Sequence, residues 1–220
     1  MGGGADTNHR DRKHRRCAAV HKAGSRAVRA LADVSDARAC ENLVELTVRE
    51  LGSIDILINN AGIIRRTPAV DYPAKDWSDV IETNLNSVFR LCQLAGRHML
   101  AQGRGKIVNI ASLLAFQGGV LVPAYAAAKG GVAQLTKALA NEWAAKGVNV
   151  NAIAPGYMAT DNTAALRADP ARSRQILERI PAGRWGTPED LAGVAVFLSS
   201  RASDYIHGTV LTVDGGWMGR

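Results

Sequence analysis

Residues 54–62 read IDILINNAG. Seven residues carry an almost unbroken apolar run, too short for a typical buried helix and suited to a strand covered on both faces, as in a parallel sheet flanked by helices. The run closes on Asn59, Asn60, Ala61 and Gly62, two amides followed by small residues. Such a strand end lets a backbone turn come close to a ligand and offers donors and acceptors to it.

Working outward, the same alternation recurs. Upstream, AVRALADV (27–34) is expected as a strand ending at Asp33, and ARACENLVELTVREL (37–51) as a helix stopped by Gly52. Downstream, Asp76 is expected to cap a helix running to about Gln102, with Trp77, Val80, Ile81, Leu85, Val88, Phe89 and Cys92 recurring three and four apart. GKIVNIAS (105–112) reads as a strand, 123–146 as a helix and VNVNAIAP (148–155) as a strand closed by proline. Residues 156–187 are polar and irregular with short helical patches, the kind of segment that covers a site. A helix over 188–199 and a strand, TVLTVDGG (209–216), end the chain. Five strands separated by helices define an α/β protein with an open, doubly wound parallel sheet. Ligands of such sheets bind beyond the carboxyl ends of the strands, here Asp33, Asn59 to Gly62, Ser112, and Pro155 with Gly156.

The composition narrows the function class. With 220 residues and 47% hydrophobic content there is enough chain for one sizeable core. No apolar run approaches the roughly 18 residues of a membrane span, so a cytoplasmic protein is expected. Cys17, Cys40 and Cys92 are odd in number and widely spaced, which supports neither a disulfide framework nor a zinc site; no metal is expected. The net charge of +7 is uneven: residues 1–30 hold eight Lys/Arg against Asp6 and Asp11, leaving +1 for the rest. Residues 1–26 therefore read as a basic leader, disordered or non-native, before a nearly neutral domain at 27–220. A nucleic-acid partner would need a basic stripe on the folded body, and none is present. His9, His14 and His21 with Cys17 lack metal-ligand spacing.

The stretch PAYAAAKGG (123–131) sets Tyr125 and Lys129 four apart, on one helix face, with only alanines between. A phenol is a poor acid or base at neutral pH unless a neighbouring ammonium favours its ionised form. Lys129 is expected to supply that charge.

NNAG (59–62), Asn84, Ser112, Y-x-x-x-K at Tyr125 and Lys129, and P-G-x-x-x-T at Pro155, Gly156 and Thr160 occur in this order. Over residues 27–220 the combination resembles the classical short-chain dehydrogenases/reductases. The resemblance implies a Rossmann-like fold and hydride transfer between a nicotinamide cofactor and a carbonyl or hydroxyl carbon. In its terms Tyr125 is the acid/base, Lys129 assists it and bonds the nicotinamide ribose, Ser112 holds the substrate oxygen, and Asn84 supports a proton relay. Asp33, Asn60, Ala61, Gly62, Pro155, Gly156 and Thr160 would face the cofactor, expected to be NAD with NADP left open. It also implies a homotetramer.

The sequence around these motifs resembles the sugar-acid branch of the family, which implies a substrate of the 2-dehydro-3-deoxy-gluconate type. Arg65, Arg66, Gln117, Asn162 and Arg167 suit a polyhydroxy carboxylate, because arginine grips a carboxylate bidentately and amides bond hydroxyls. Gluconate oxidation and 3-oxoacyl-thioester reduction share the same core motifs. The family's Gly-rich T-G-x-x-x-G-x-G turn, which holds the pyrophosphate, is absent, and so is the residue that selects NAD or NADP. The basic leader stands in place of about one βαβ unit. An N-terminally incomplete sheet, and with it an inactive fragment, is the expectation that competes with a working enzyme.

Overall fold

A computed structural model describes residues 17–220. Most of the expected basic leader, including His9 and His14, lies outside the described residues, while 17–22 are helical. Helices α1 (Ala37–Leu51), α2 (Ala74–Ile81), α3 (Ser87–Gln102), α4 (Pro123–Trp143), α5 (Ala164–Ala168), α6 (Pro170–Leu177) and α7 (Glu189–Ser199) alternate with strands β1 (Ile56–Asn59), β2 (Gly105–Ile110), β3 (Val148–Pro155) and β4 (Val210–Val213). The strands form one parallel sheet in the order β1-β2-β3-β4. Apolar clusters lie on both faces. One packs Val88, Cys92, Ala95 and Met99 of α3 and Val132, Leu139 and Trp143 of α4 onto Ile107 and Val150. The other packs Leu198 of α7 onto Val108 and Ile153. This is the α/β, doubly wound, Rossmann-like arrangement expected from the alternation.

Local chemistry sets the element ends. Asp36 caps α1 by accepting from Arg38 and Ala39 N–H, and Gly52 closes it in the left-handed region at φ 86°. Gly147 turns the chain from the end of α4 into β3 at φ 81°, and a Cβ there would stand 2.1 Å from the Gly103 carbonyl oxygen. Only glycine satisfies both demands.

Several expectations are corrected. Residues 27–33 form no strand, so the sheet has four strands among the described residues, not five. A strand exists only where a neighbour supplies a ladder. This segment is pinned otherwise: Arg26 reaches Glu50, the Cys40 thiol donates to the Val34 carbonyl at 3.2 Å, and Val34 packs on Cys40 and Val44. The outer edge of β1 is unpaired among the described residues, and Ile56 and Ile58 are about half exposed. Pro73, not Asp76, precedes α2, and Asp76 sits in its first turn. The long helix is interrupted by a π-helical segment, Glu82–Asn86. Val80, Val88 and Cys92 are buried as expected, but Trp77 and Phe89 are nearly half exposed. The last strand stops at Val213 because Gly215 and Gly216 adopt positive φ.

Candidate active site

The parallel register brings the strand ends together: Asn59 pairs with Asn109, Ile110 with Ile153, and Pro155 with Val213. A buried chain of side chains fixes how α4 sits over them. Asn59 Nδ2 donates to Asn109 Oδ1 at 2.9 Å, Asn109 Nδ2 donates to Thr136 Oγ1 at 3.0 Å, and Thr136 donates to the Val132 carbonyl. Thr136 lies two turns beyond Lys129, so bonding it to the sheet also sets the rotation of Tyr125 and Lys129.

Asn84 is fully buried in the middle of the π segment. Its Oδ1 accepts from the Ile63 N–H at 2.9 Å and its Nδ2 donates to the Ile63 carbonyl at 2.7 Å. The amide thus clamps the chain just after NNAG as a strand neighbour would. A Cβ on Gly62 would stand 2.8 Å from Asn84 Oδ1, which explains the glycine there. A single π turn is a common way to turn a helical side chain toward a site. Asn84 itself lines neither cavity described below; it reaches them through the loop it holds.

Two cavities meet at the strand ends. One, of about 560 Å³, is bounded by Ile58, Asn60, Gly62, Ser112, Tyr125, Lys129, Pro155, Gly156, Thr160 and the α7 residues Leu191, Ala192 and Ala195. The other, of about 480 Å³, is bounded by Arg66, Ser112, Gln117, Tyr125, Gly156, Asn162, Arg172, Gln175, Arg179 and Trp217. Ser112 and Tyr125 belong to both walls. Ser112 begins a short turn, and its Oγ accepts from the Leu114 N–H at 3.2 Å, leaving its proton to point elsewhere.

Lys129 is 4% exposed; its Nζ donates to the Ile110 carbonyl at 2.5 Å and lies 5.6 Å from the Tyr125 ring centroid. Burial lowers its pKa to about 8. The Tyr125 pKa moves the other way. Burial raises it, and the Ser112 hydroxyl and the Arg66 charge only partly oppose this. The expected lowering of the phenol by Lys129 is therefore corrected: desolvation wins, and the cation working against it is Arg66.

Of the residues singled out in the sequence, Asn60, Gly62, Ser112, Tyr125, Lys129, Pro155, Gly156 and Thr160 all border the Lys129 cavity. Ala61 and Asp33 border neither. Asp33 accepts from the N–H and hydroxyl of Ser35, a turn that lowers its pKa. Arg66, Gln117 and Asn162 border the second cavity. Arg65 instead approaches Asp76 at 3.9 Å, and Arg167 donates to the Thr160 carbonyl. Arg172, Gln175, Arg179 and Trp217 were not anticipated. The signal was present in DPARSRQILERI, where Arg172, Gln175, Ile176 and Arg179 share one helical face.

An apolar-floored cavity with a buried lysine, joined across a tyrosine and a serine to a second cavity that carries three arginines, is the arrangement of a Rossmann-type oxidoreductase. A family profile described as enoyl-(acyl carrier protein) reductase matches residues 5–218, and the chain belongs to the classical short-chain dehydrogenase/reductase family. The chain is 64% identical over 167 residues to a 2-dehydro-3-deoxy-D-gluconate 5-dehydrogenase of Bacillus subtilis, covering 76% of this chain and 66% of that protein. The protein of the same name from Dickeya dadantii is 55% identical over 202 residues, 91% of this chain and 80% of its own length. Among solved structures, a gluconate 5-dehydrogenase from Burkholderia cenocepacia in complex with NADP and tartrate superposes with a TM-score of 0.89 at 40% identity. That match covers 93% of this chain and 80% of the other. No helix among the described residues is long and apolar enough to cross a membrane.

Proposed function

We propose that the chain is an oxidoreductase of sugar acids of the 2-dehydro-3-deoxy-D-gluconate 5-dehydrogenase kind. The observation that carries this reading is the meeting of the two cavities at Tyr125 and Ser112. The names of the Bacillus and Dickeya relatives supply the substrate class, and the NADP and tartrate named for the Burkholderia structure agree with a dinucleotide beside a hydroxy acid.

The residues of the Lys129 cavity fit a nicotinamide dinucleotide. Ile58, Ile110 and Ile153 offer an apolar floor, Gly62 and Gly156 leave room for close approach, and Asn60, Lys129 and Thr160 offer polar contacts. Such a cofactor, when bound, supplies or accepts the hydride. Lys129 and Asn60 would hold its ribose, and Thr160, Pro155 and Gly156 its nicotinamide end. Both NAD and NADP are compatible with these contacts; the sequence reading favours NAD, whereas the Burkholderia structure holds NADP.

The chain's own residues then have separable tasks. The Ser112 hydroxyl and the Tyr125 phenol bond the reacting oxygen of the substrate. In the reductive direction Tyr125 hands over its proton as negative charge develops there. A phenol pKa raised by burial favours the protonated donor at neutral pH. Arg66 and the Ser112 hydroxyl favour the phenolate left behind, and Asn84 fixes the loop that bears Asn60 and Gly62. Arg66, Arg172 and Arg179 in the wall of the second cavity, with no acidic side chain there among the described residues, suit an anionic substrate. Assembly into a homotetramer and a cytoplasmic location belong to the same proposal.

Titration of the purified chain with NAD and NADP, followed by turnover of the sugar acid in the parent and in Tyr125→Phe, tests the reading. Loss of the phenolic proton lowers kcat by about 10²–10⁴-fold with little change in KM. Retention of turnover by Tyr125→Phe would overturn it. The unpaired β1 edge among the described residues favours a second reading, a chain that holds the catalytic residues without turning over. Cofactor titration separates the two, since an inert chain gives no saturable binding of either dinucleotide.

A further inference from the structure

Among the described residues, the cavity beside Tyr125 carries three arginines, Arg66, Arg172 and Arg179, and no aspartate or glutamate in its wall. None of the three has a carboxylate partner among the described residues, although the chain pairs arginines elsewhere, as in Arg90 with Glu82 and Arg184 with Asp190. All three are solvent-exposed, so together they give the cavity a positive field that favours an anionic ligand.

The three are not equivalent. Arg66 spends Nη2 on the Asn162 carbonyl at 3.1 Å, and Arg172 spends Nη1 on Gln175 Oε1 at 3.1 Å. Arg179 makes no side-chain hydrogen bond among the described residues. Its guanidinium carbon lies 4.0 Å from the centroid of the Trp217 ring. Stacking on an indole face orients the guanidinium but leaves its in-plane N–H groups unused, the presentation that suits a two-point grip on a carboxylate. The platform is itself fixed. Trp217 is 4% exposed, donates its Nε1–H to Gln117 Oε1 at 3.3 Å and packs against Tyr157 at 4.6 Å between centroids.

We propose that Arg179, oriented on Trp217, receives the carboxylate of the substrate and is the residue by which this site selects sugar acids over neutral polyols. The assignment rests on the sugar-acid reading given above. An arginine already oriented loses little freedom on binding, so its two bonds translate into selectivity. Fixing the carboxylate at the Trp217 wall also sets which carbon of the substrate chain lies at Tyr125 and Ser112.

The test is calorimetric titration of the full chain with D-gluconate and, separately, with D-sorbitol, which has the same carbon chain without the carboxylate. Both are run with and without saturating dinucleotide. The parent is expected to prefer gluconate. Arg179→Met is expected to weaken gluconate by about 10–100-fold, as for a charge-assisted pair, and to leave sorbitol unchanged. Arg179→Lys keeps the charge but not the fork and is expected to fall between. Arg97→Met removes the same charge from an exposed position that borders neither cavity and is expected to match the parent. If the parent shows no preference for gluconate, the sugar-acid reading fails and the assignment with it. If the parent prefers gluconate but Arg179→Met keeps that preference, or Arg97→Met loses as much, the assignment to Arg179 alone is overturned. Equal thermal midpoints for the parent and Arg179→Met exclude misfolding as the cause of a loss.

Discussion

Methionine in place of Lys129 stabilises the fold at neutral pH while abolishing turnover. The lysine pKa falls from 10.5 to about 8 on folding, with burial as the cause. Holding the ammonium in the folded chain below that pH therefore costs roughly 3 kcal/mol, at 1.36 kcal/mol for each pKa unit. Methionine removes this cost but also the bond to the Ile110 carbonyl, which offsets about 1–2 kcal/mol. The net gain is about 1–2 kcal/mol, or a rise in Tm of roughly 2–8 °C for a chain of this size. The sign of the pH dependence follows from the lowered pKa. Between about pH 8 and 10.5 the unfolded chain binds the proton and the folded chain does not, so the parent gains stability as pH rises. Urea unfolding at a series of pH values checks this. Relative to Lys129→Met, the parent recovers about 1.4 kcal/mol by pH 9 and about 2.5 kcal/mol by pH 10, closing the gap and then reversing it. A variant less stable than the parent at pH 7, or a gap that does not change with pH, refutes the reasoning.

Asn84→Ala strips two hydrogen bonds from the buried backbone of Ile63, and about 2–4 kcal/mol of stability is expected to go with them in chemical denaturation. Any residual activity should show a raised KM for the dinucleotide, because the NNAG loop loses its clamp. Gly96→Ala places a Cβ 2.7 Å from the Trp143 ring in the seam between α3 and α4. Overpacking there is expected to cost about 1–3 kcal/mol, read as a lower urea midpoint at unchanged m, without altering cofactor affinity in the surviving folded fraction.

Much of the fold was legible because the deciding forces were local. The helix Ala37–Leu51 carries its own stop and start signals in Asp36 and Gly52, and its bounds match the expectation. GKIVNIAS and VNVNAIAP are continuously apolar enough to need cover on both faces and form buried strands, whereas the strand in IDILINN forms but leaves Ile56 and Ile58 about half exposed instead of covered on both faces. Elements that depend on a neighbour were less legible. AVRALADV has the composition of a strand but no ladder to join. The ETNLN bulge that turns Asn84 toward the NNAG loop leaves no trace in the three-and-four periodicity around it.

The site divides in the same way. The order and spacing of Asn60, Ser112, Tyr125, Lys129 and Thr160 were enough to place these residues together, because each follows a strand end or sits on the helix that crosses those ends. Their titration was not readable. The Tyr125 phenol is raised by burial, with Arg66 from a distant loop opposing it, and neither effect is a property of the Y-x-x-x-K string. Arg179 gained its orientation only when the C-terminal Trp217 folded beneath it. Sequence by itself determined the chemistry available and the edge of the sheet that would carry it, since side-chain type and apolar periodicity are local properties. Tertiary structure alone decided which charges are desolvated and which donors are left to meet a ligand, since both depend on what distant segments bring against them.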